Sequence, residues 1–277
     1  MNLAQSISSF FQVLPAFKGK RRVCRQVLKL SGLYKRKNLL IRTESGVFTL
    51  PNLVEMVSFD LFVNGKYEEG LVRLLVEKIP ENGVFVDVGA NIGSISIPLA
   101  RKRPDLKIVA IEASPWIFKV LDGNIKQNGL KNISALNHAA YFESGKEMFI
   151  YAPRELFGKG SLNPTFTKEG EAVSTITIDD IRSKFGFSGI DFVKVDVEGF
   201  EICVFKGMTG IISQCKPSIV FEFADWTETQ AGFRAGDAQT FLISQGYTLT
   251  QLNEQFKPIS KTLESAILVS SGNLLAV

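Results

Sequence analysis

The stretch Val84-Phe85-Val86-Asp87-Val88-Gly89-Ala90-Asn91-Ile92-Gly93 decides the fold. A short apolar run, interrupted by a single Asp and cut off by glycine, reads as a buried strand. Gly89 and Gly93 let the backbone turn sharply into a helix and approach a ligand closely. The alternation continues outward on both sides. Upstream, Leu71, Leu74, Leu75 and Ile79 predict a helix over Glu68–Ile79, ended by Pro80 and Gly83. Downstream, Lys107–Ile111 is a second apolar run closed by Glu112; Ser114-Pro115 then starts a helix that Gly129 stops, and Ile133–Leu136 is a third run. Ile190–Val197 and Ser218–Phe223 predict further buried strands, with a helix from about Phe200, a loop over 224–236 and a helix over 237–244. Tyr247–Leu252 and Ala266–Val269 are expected to close the sheet as an antiparallel hairpin. Such alternation predicts an α/β fold, a parallel sheet with helices on both faces.

Two regions depart from the pattern. Residues 139–178 contain Gly145, Gly158, Gly160, Gly170, Pro153 and Pro164, and are expected to hold a small β insertion of two or three short strands and a mobile loop at 152–170. Residues 39–63 read as short strands punctuated by Ser45-Gly46 and Pro51-Asn52. Pro98 sits deep in the helix expected after Gly93.

The 277 residues are 45% apolar and 22% charged, a balance that supports a sizeable core and excludes a disordered chain. About 150 residues per domain allows one large or two small domains. No run of ~18 apolar residues reads as a membrane span. Three cysteines, Cys24, Cys203 and Cys215, with no CxxC pair imply neither a disulfide framework nor a zinc site, and fit a reducing, cytoplasmic compartment.

The net charge of +4 hides an asymmetry. Residues 1–42 carry ten Lys or Arg and no Asp or Glu, so the rest of the chain stands at −6. The basic balance belongs to this arm, and no nucleic-acid partner is expected for the body. Within the arm, Leu3, Ile7, Phe10, Phe11 and Leu14 form one helical stripe that Pro15 should stop, and Val23, Val27, Leu30 and Tyr34 form a second. Positive charge follows the apolar stretch, the reverse of a secretory signal. Two readings stay open for residues 1–37: a segment lying on an anionic membrane or docking a partner, and a helix pair that buries its stripe against the body.

Candidate site residues cluster at the ends of the predicted strands. A dinucleotide loop needs G-x-G-x-x-G; here the middle glycine is missing, and Asp87 before the loop would repel a pyrophosphate. A carboxylate there suits a ligand presenting a cation, such as S-adenosylmethionine with its sulfonium and ammonium groups. Asp87, Gly89, Ala90, Asn91 and Gly93 are therefore cofactor candidates, with Glu112 positioned to accept two ribose hydroxyls. Asn137 and His138 close the third strand where an adenine edge should lie; cofactor contact, general-base catalysis and a structural role are all open for His138, the one histidine. The segment Val193-Lys194-Val195-Asp196-Val197-Glu198-Gly199-Phe200-Glu201 places charges at the end of a buried strand, where they are costly unless paired or functional. Lys194 and Asp196 share a face and could pair, and Glu222 ends the next strand on the same rim.

Together these residues resemble the FkbM-type methyltransferases. The resemblance covers about residues 60–277: Gly65-Lys66-Tyr67-Glu68, Val86–Gly93, Glu112, Asn124, Asn137-His138-Ala139-Ala140, Thr177-Ile178-Asp179, Val193–Glu201 and Phe221-Glu222, in the family's order. It implies a Rossmann-like seven-stranded methyltransferase domain at 61–277, behind a basic amphipathic extension at 1–60, acting with S-adenosylmethionine on a hydroxyl of a small acceptor such as a sugar or glycolipid. The expected base is Asp196, with Glu198 or Glu222 as alternates and Lys194 as charge partner. A divalent ion bridging Asp196 and Glu222 is left open, as is the oligomeric state. Tyr67, Glu68, Arg154, Trp226 and Arg234 are the acceptor candidates, the last three from loops 152–170 and 224–236. The competing readings are a nicotinamide oxidoreductase, disfavoured by Asp87 and the missing glycine, and a non-catalytic adaptor, disfavoured by the intact set of carboxylates and lysine.

Overall fold

The computed structural model describes residues 3–263 and 271–277. In chain order the elements are α1 (Leu3–Val13), α2 (Lys20–Leu30), β1 (Leu39–Thr43), β2 (Gly46–Leu50), α3 (Met56–Asn64), α4 (Glu69–Lys78), β3 (Val84–Val88), α5 (Ser96–Lys102), β4 (Lys107–Ile111), α6 (Pro115–Gln127) and β5 (Ile133–Leu136). There follow β6 (Ala139–Ala140), β7 (Glu147–Ile150), β8 (Glu171–Ile176), α7 (Ile178–Phe185), β9 (Phe192–Val195), α8 (Glu201–Lys206), α9 (Thr209–Cys215) and β10 (Ser218–Ala224). The chain ends with α10 (Asp225–Gln230), α11 (Asp237–Ser244), β11 (Leu249–Leu252), β12 (Pro258–Leu263) and β13 (Ser271–Ala276).

The central sheet runs β12-β11-β13-β10-β9-β3-β4-β5. The five strands from β10 to β5 are parallel, and β13, β11 and β12 close the edge antiparallel. This is the expected Rossmann-like arrangement with eight strands instead of seven. The edge differs from the expected hairpin: β11 pairs with both β12 and β13, while Ala266–Val269 lies outside the described residues. Side chains alternate between the faces. Phe85, Ile108, Phe192 and Val220 pack into one core with the helices from α1 to α6. Val86, Val109, Val193 and Phe221 pack into the other, which holds α7, α8, α9 and α11 residues. The β insertion is a separate three-stranded sheet, β6-β8-β7.

Several local expectations change. Residues 56–63, read as strand, are helix α3. Glu55 accepts a hydrogen bond from the Met56 N–H, and Val57, Phe59, Leu61, Phe62 and Val63 are all buried. A helix buried on nearly every side lacks the polar face that betrays helical periodicity. The boundary expected between residues 60 and 61 falls inside this helix. The six-residue α10 lies in the expected loop 224–236. Pro98 falls in the first turn of α5, where its missing N–H costs nothing.

The N-terminal segment packs on the body. Ala4, Ser8 and Phe11 of α1 and Cys24 and Leu28 of α2 are buried, and the Ser8 hydroxyl donates to the Phe62 carbonyl at 2.7 Å. The buried face is only part of each expected stripe, because Leu3, Phe10, Val23 and Leu30 remain exposed. Hairpin β1–β2 is held on α6 by two asparagines. Asn124 accepts from Thr49 N at 2.7 Å, and Asn128 exchanges two hydrogen bonds with the Val47 backbone.

Candidate active site

Strands β4 and β9 flank β3, so the chain departs in opposite directions from neighbouring strand ends, the place where open α/β sheets bind ligands. Gly89 and Asp196 meet at this point. Asp196 N donates to the Val88 carbonyl at 3.1 Å. Gly89 has φ +76°, and a Cβ there would stand 2.0 Å from the Asp196 carbonyl oxygen, so only glycine fits. The cleft above these ends is lined by Gly89, Asn91, Glu112, His138, Phe157 and Asp196 among others.

One wall is built from paired groups. Gly89 N and Ala90 N both donate to the Ile111 carbonyl, tying the glycine loop to β4. Glu112 accepts from Asn91 N at 2.9 Å on one oxygen and from Ser114 N at 2.8 Å on the other. Each oxygen keeps a second lone pair, and desolvation raises the carboxyl to about 7. Asn91 holds its place with φ 53°, its side chain accepting from Ile92 N. Asn137 does not line the cleft; it donates to the carbonyls of Glu112 and Ala113 and fixes that strand end. Gly93 lies below the loop, in close contact with Ile97 and Leu121. His138 lines the cleft with its Nδ1 buried and unpartnered, and burial lowers its pKa toward the neutral form. The loop 152–170 covers this wall. Phe157, Gly158, Gly160 and Leu162 line the cleft; Gly158 N donates to Glu55, and the Ser161 hydroxyl donates to the Glu198 carbonyl.

The other wall concentrates carboxylates. Asp87, expected to face a cationic ligand, is instead 0% exposed and does not line the cleft. It is the register partner of Lys194 on β9: one oxygen accepts from Ser96 at 2.5 Å and the other lies 3.6 Å from the Lys194 ammonium. Lys194 reaches Asp196 at 3.3 Å, the pairing expected from their shared face. A second, smaller cavity of about 10 Å³ opens beside them, lined by Glu68, Lys194, Asp196, Glu222 and Asn273. Asp196 is the residue common to both cavities. Glu68 is raised to about 7 by burial, opposed by Lys194 and reinforced by Asp196 and Glu222. Glu222, exposed on its solvent side, is raised to about 7 by the surrounding protein and by Asp196. Glu198 reaches about 8 by burial and the same two charges. Glu68 and Glu198 both hold positive φ, 42° and 51°, a conformation costly for such residues and concentrated at functional sites.

The acceptor candidates separate. Tyr67 and Glu68 join the carboxylate wall, where burial and the neighbouring charges raise the Tyr67 phenol well above its usual range. Arg154 does not: its guanidinium lies over Trp116 and pairs with Glu171, in a different groove shared with Lys35 and Lys37. Trp226, 48% exposed, packs edge-on against Phe166, and Arg234 is exposed; neither lines either cavity. Sequence reasoning missed Glu55, which anchors the covering loop, and Asn273, which the antiparallel pairing of β13 sets opposite Glu222. No local signal marks either residue, since each acts across the fold.

A divalent ion does not suit this donor set. The Lys194 ammonium already lies between Asp87 and Asp196, and among the described residues no group of three or more His, Cys, Asp or Glu could hold a metal.

The FkbM methyltransferase domain model matches residues 87–249. The chain belongs to the FkbM methyltransferase family. Among curated relatives, the methyltransferase sdnD of Sordaria araneosa is 27% identical over 214 residues, 66% of this chain and 80% of that protein. The hexuronic acid methyltransferase AglP of Haloferax volcanii is 28% identical over 187 residues, 68% of this chain and 72% of that protein. A solved FkbM methyltransferase from Methylobacillus flagellatus aligns over 94% of this chain and 71% of its own at a TM-score of 0.45 and 14% identity. The family's cofactor is S-adenosylmethionine, and the residues present fit it: a carboxylate with spare acceptor capacity, an unpartnered imidazole nitrogen and a glycine that leaves room at the switch point all face one cleft.

Proposed function

We propose that this FkbM-family methyltransferase methylates a hydroxyl oxygen of a small acceptor, with sugars the first class to test, and that Asp196 takes the hydroxyl proton. The observation that carries this reading is the position of Asp196, among the described residues the one that lines both the cofactor cleft and the carboxylate cavity. The name of the hexuronic acid relative supports a sugar acceptor. Three unpaired cysteines, Cys24, Cys203 and Cys215, support a reducing compartment.

S-adenosylmethionine would supply an electrophilic methyl group on a sulfonium, whose methyl–sulfur bond breaks in the transfer to leave the neutral thioether S-adenosylhomocysteine. Glu112 would hold its ribose hydroxyls, His138 its adenine edge, and Gly89 and Asn91 the remainder along the loop. Loop 152–170 excludes water from that side. Methyl transfer to oxygen requires collinear alignment, so much of the acceleration comes from positioning. As the new C–O bond forms, Asp196 accepts the hydroxyl proton. Lys194, 3.3 Å from Asp196, holds that carboxylate in place and stabilises negative charge developing on the oxygen. Glu222 and Glu198 keep the proton affinity of the wall near neutrality, and Asn273 offers an amide to orient the acceptor.

The test combines titration with S-adenosylhomocysteine and turnover across a panel of hydroxylated acceptors. Asp196→Asn should retain product affinity and lower turnover at least ~100-fold. Unchanged turnover would remove Asp196 from the role; no S-adenosylhomocysteine binding at millimolar concentration would sink the cofactor assignment.

A further inference from the structure

Fourteen large hydrophobic side chains are exposed among the described residues, and six of them, Leu3, Phe10, Val13, Phe17, Val23 and Leu30, lie within the first thirty positions. Single exposed apolar side chains are ordinary, whereas a concentration of them marks an interaction surface. Five of the six belong to helices whose inner faces are already committed to the body, and Phe17 lies in the turn between those helices. On α1, Ala4, Ser8 and Phe11 face inward, while Leu3 and Phe10, two turns apart, fall together beside Val13 on the outer side. On α2 the arrangement has three sectors: Lys20, Cys24 and Leu28 inward, Val23 and Leu30 on one outer flank, and Arg22, Arg25 and Lys29 on the other. Phe17 and Lys18 lie exposed in the turn between the helices.

The charge of this face is uniform. All ten charged residues of the first 42 are basic. Some are engaged: Arg21 pairs with Asp60 at 2.9 Å, Arg21 and Arg25 lie over the Phe59 ring, and Lys29 lies over Tyr34. Lys18, Arg22, Lys35, Arg36 and Lys37 are exposed and form no salt bridge among the described residues.

We infer that the outer face of α1 and α2 docks on an anionic lipid surface while the inner face stays packed on the enzyme. Basic side chains interspersed with exposed Phe, Leu and Val are the composition of an interfacial helix, apolar groups entering the headgroup boundary and cations meeting acidic headgroups. A second copy of the chain is the poorer occupant, because symmetric pairing would set exposed, unpaired cations such as Lys18 and Arg22 against the same charges of the other copy. The anchored helices connect to the active site. The Ser8 contact with the Phe62 carbonyl fixes α1 on α3, whose C-terminus leads through Gly65 into Tyr67 and Glu68. Docking therefore holds the carboxylate wall at a fixed relation to the bilayer. The inference is independent of the acceptor and of the reaction.

The experiment is co-sedimentation of the full chain with vesicles of phosphatidylcholine alone and with about one-third phosphatidylglycerol. Binding is expected to the anionic vesicles only, and to weaken steeply between low salt and 0.5 M salt, given a Debye length of roughly 10 Å at 0.1 M. Arg22→Glu should lower the partition at least about five-fold, the loss for one basic residue near such a surface. Phe10→Ser combined with Leu30→Ser should lower it at least ~10-fold with an unchanged melting temperature, since both side chains are more than half exposed (59% and 88%). Equal binding to neutral vesicles, or binding indifferent to both sets of substitutions, would overturn the inference. So would sedimentation analysis showing that Phe10 and Leu30 drive self-association while vesicles are ignored.

Discussion

The two walls of the active site handle charge in opposite ways. At the β3–β4 end each carboxylate has set partners: Asp87 accepts from Ser96 and lies 3.6 Å from the Lys194 ammonium, and Glu112 accepts from the amides of Asn91 and Ser114. At the β9–β10 end Glu68, Asp196 and Glu222 gather around Lys194, which Asp87 also approaches, and Glu198 feels the charges of Asp196 and Glu222. The first wall is preorganised for binding, because donors set in advance cost little when a ligand arrives. The second retains unneutralised charge in a poorly solvated site, which is what raises proton affinities toward neutral pH. On the proposed reading, binding and proton transfer divide between neighbouring strand ends of one sheet.

The largest effect expected in the binding wall comes from Glu112→Ala. Removing a charged acceptor with two spare lone pairs should weaken S-adenosylhomocysteine by about 10–100-fold in calorimetric titration, with turnover at saturating cofactor close to the original. An equal loss in turnover would break the division between the walls. Next in size is the pH profile. Glu222 and Glu198 retain protons up to about 7 and 8, so negative charge builds beside the hydroxyl proton as pH rises through this range, and turnover should rise with it. Glu222→Gln removes a negative charge from beside the remaining carboxyls and should move the rising limb down by about one pH unit. A limb that stays in place would show that Glu222 is not coupled to the proton acceptor.

The smallest effect sharpens the comparison from outside either wall. Glu201 is 2% exposed, one of its oxygens is unpartnered, and burial raises it to about 8. Its folded-state proton affinity exceeds that of the unfolded chain, so the folded state holds a proton that the unfolded state has lost. Stability should fall as pH rises from about 4.5 toward 8. Glu201→Gln should raise the melting temperature at pH 8, by roughly 2–4 °C for each kcal/mol recovered, and leave it unchanged at pH 4. A gain that is equal at both pH values would attribute the effect to packing rather than to charge.

Much of this was legible from local pattern. Gly89 and Gly93 with an apolar run before them located the central strand and its ligand-facing end, because backbone strain and burial are dictated by neighbouring residues. The pairing of Lys194 with Asp196 followed from the two-residue period of a strand. Asp87 was placed on the correct strand but assigned the wrong partner: the residue opposite it on β9 is Lys194, 107 positions away in sequence, and side-by-side strand order is not written in either segment. Helix α3 was hidden by its own burial, and α10 by its brevity.

What the sequence determined by itself is the α/β class, the strand ends where the candidate carboxylates gather, and a basic arm ahead of an acidic body, since each depends on residues close together in the chain. What only the tertiary structure decided is which charges share a wall. Strand order puts β9 beside β3 and β13 beside β10; this brings Lys194 to Asp87 and Asn273 to Glu222, and it makes Asp196 the boundary between two cavities. The physical reason is that proton affinity depends on distances of a few ångströms between groups far apart in sequence, and those distances exist only after the sheet has assembled.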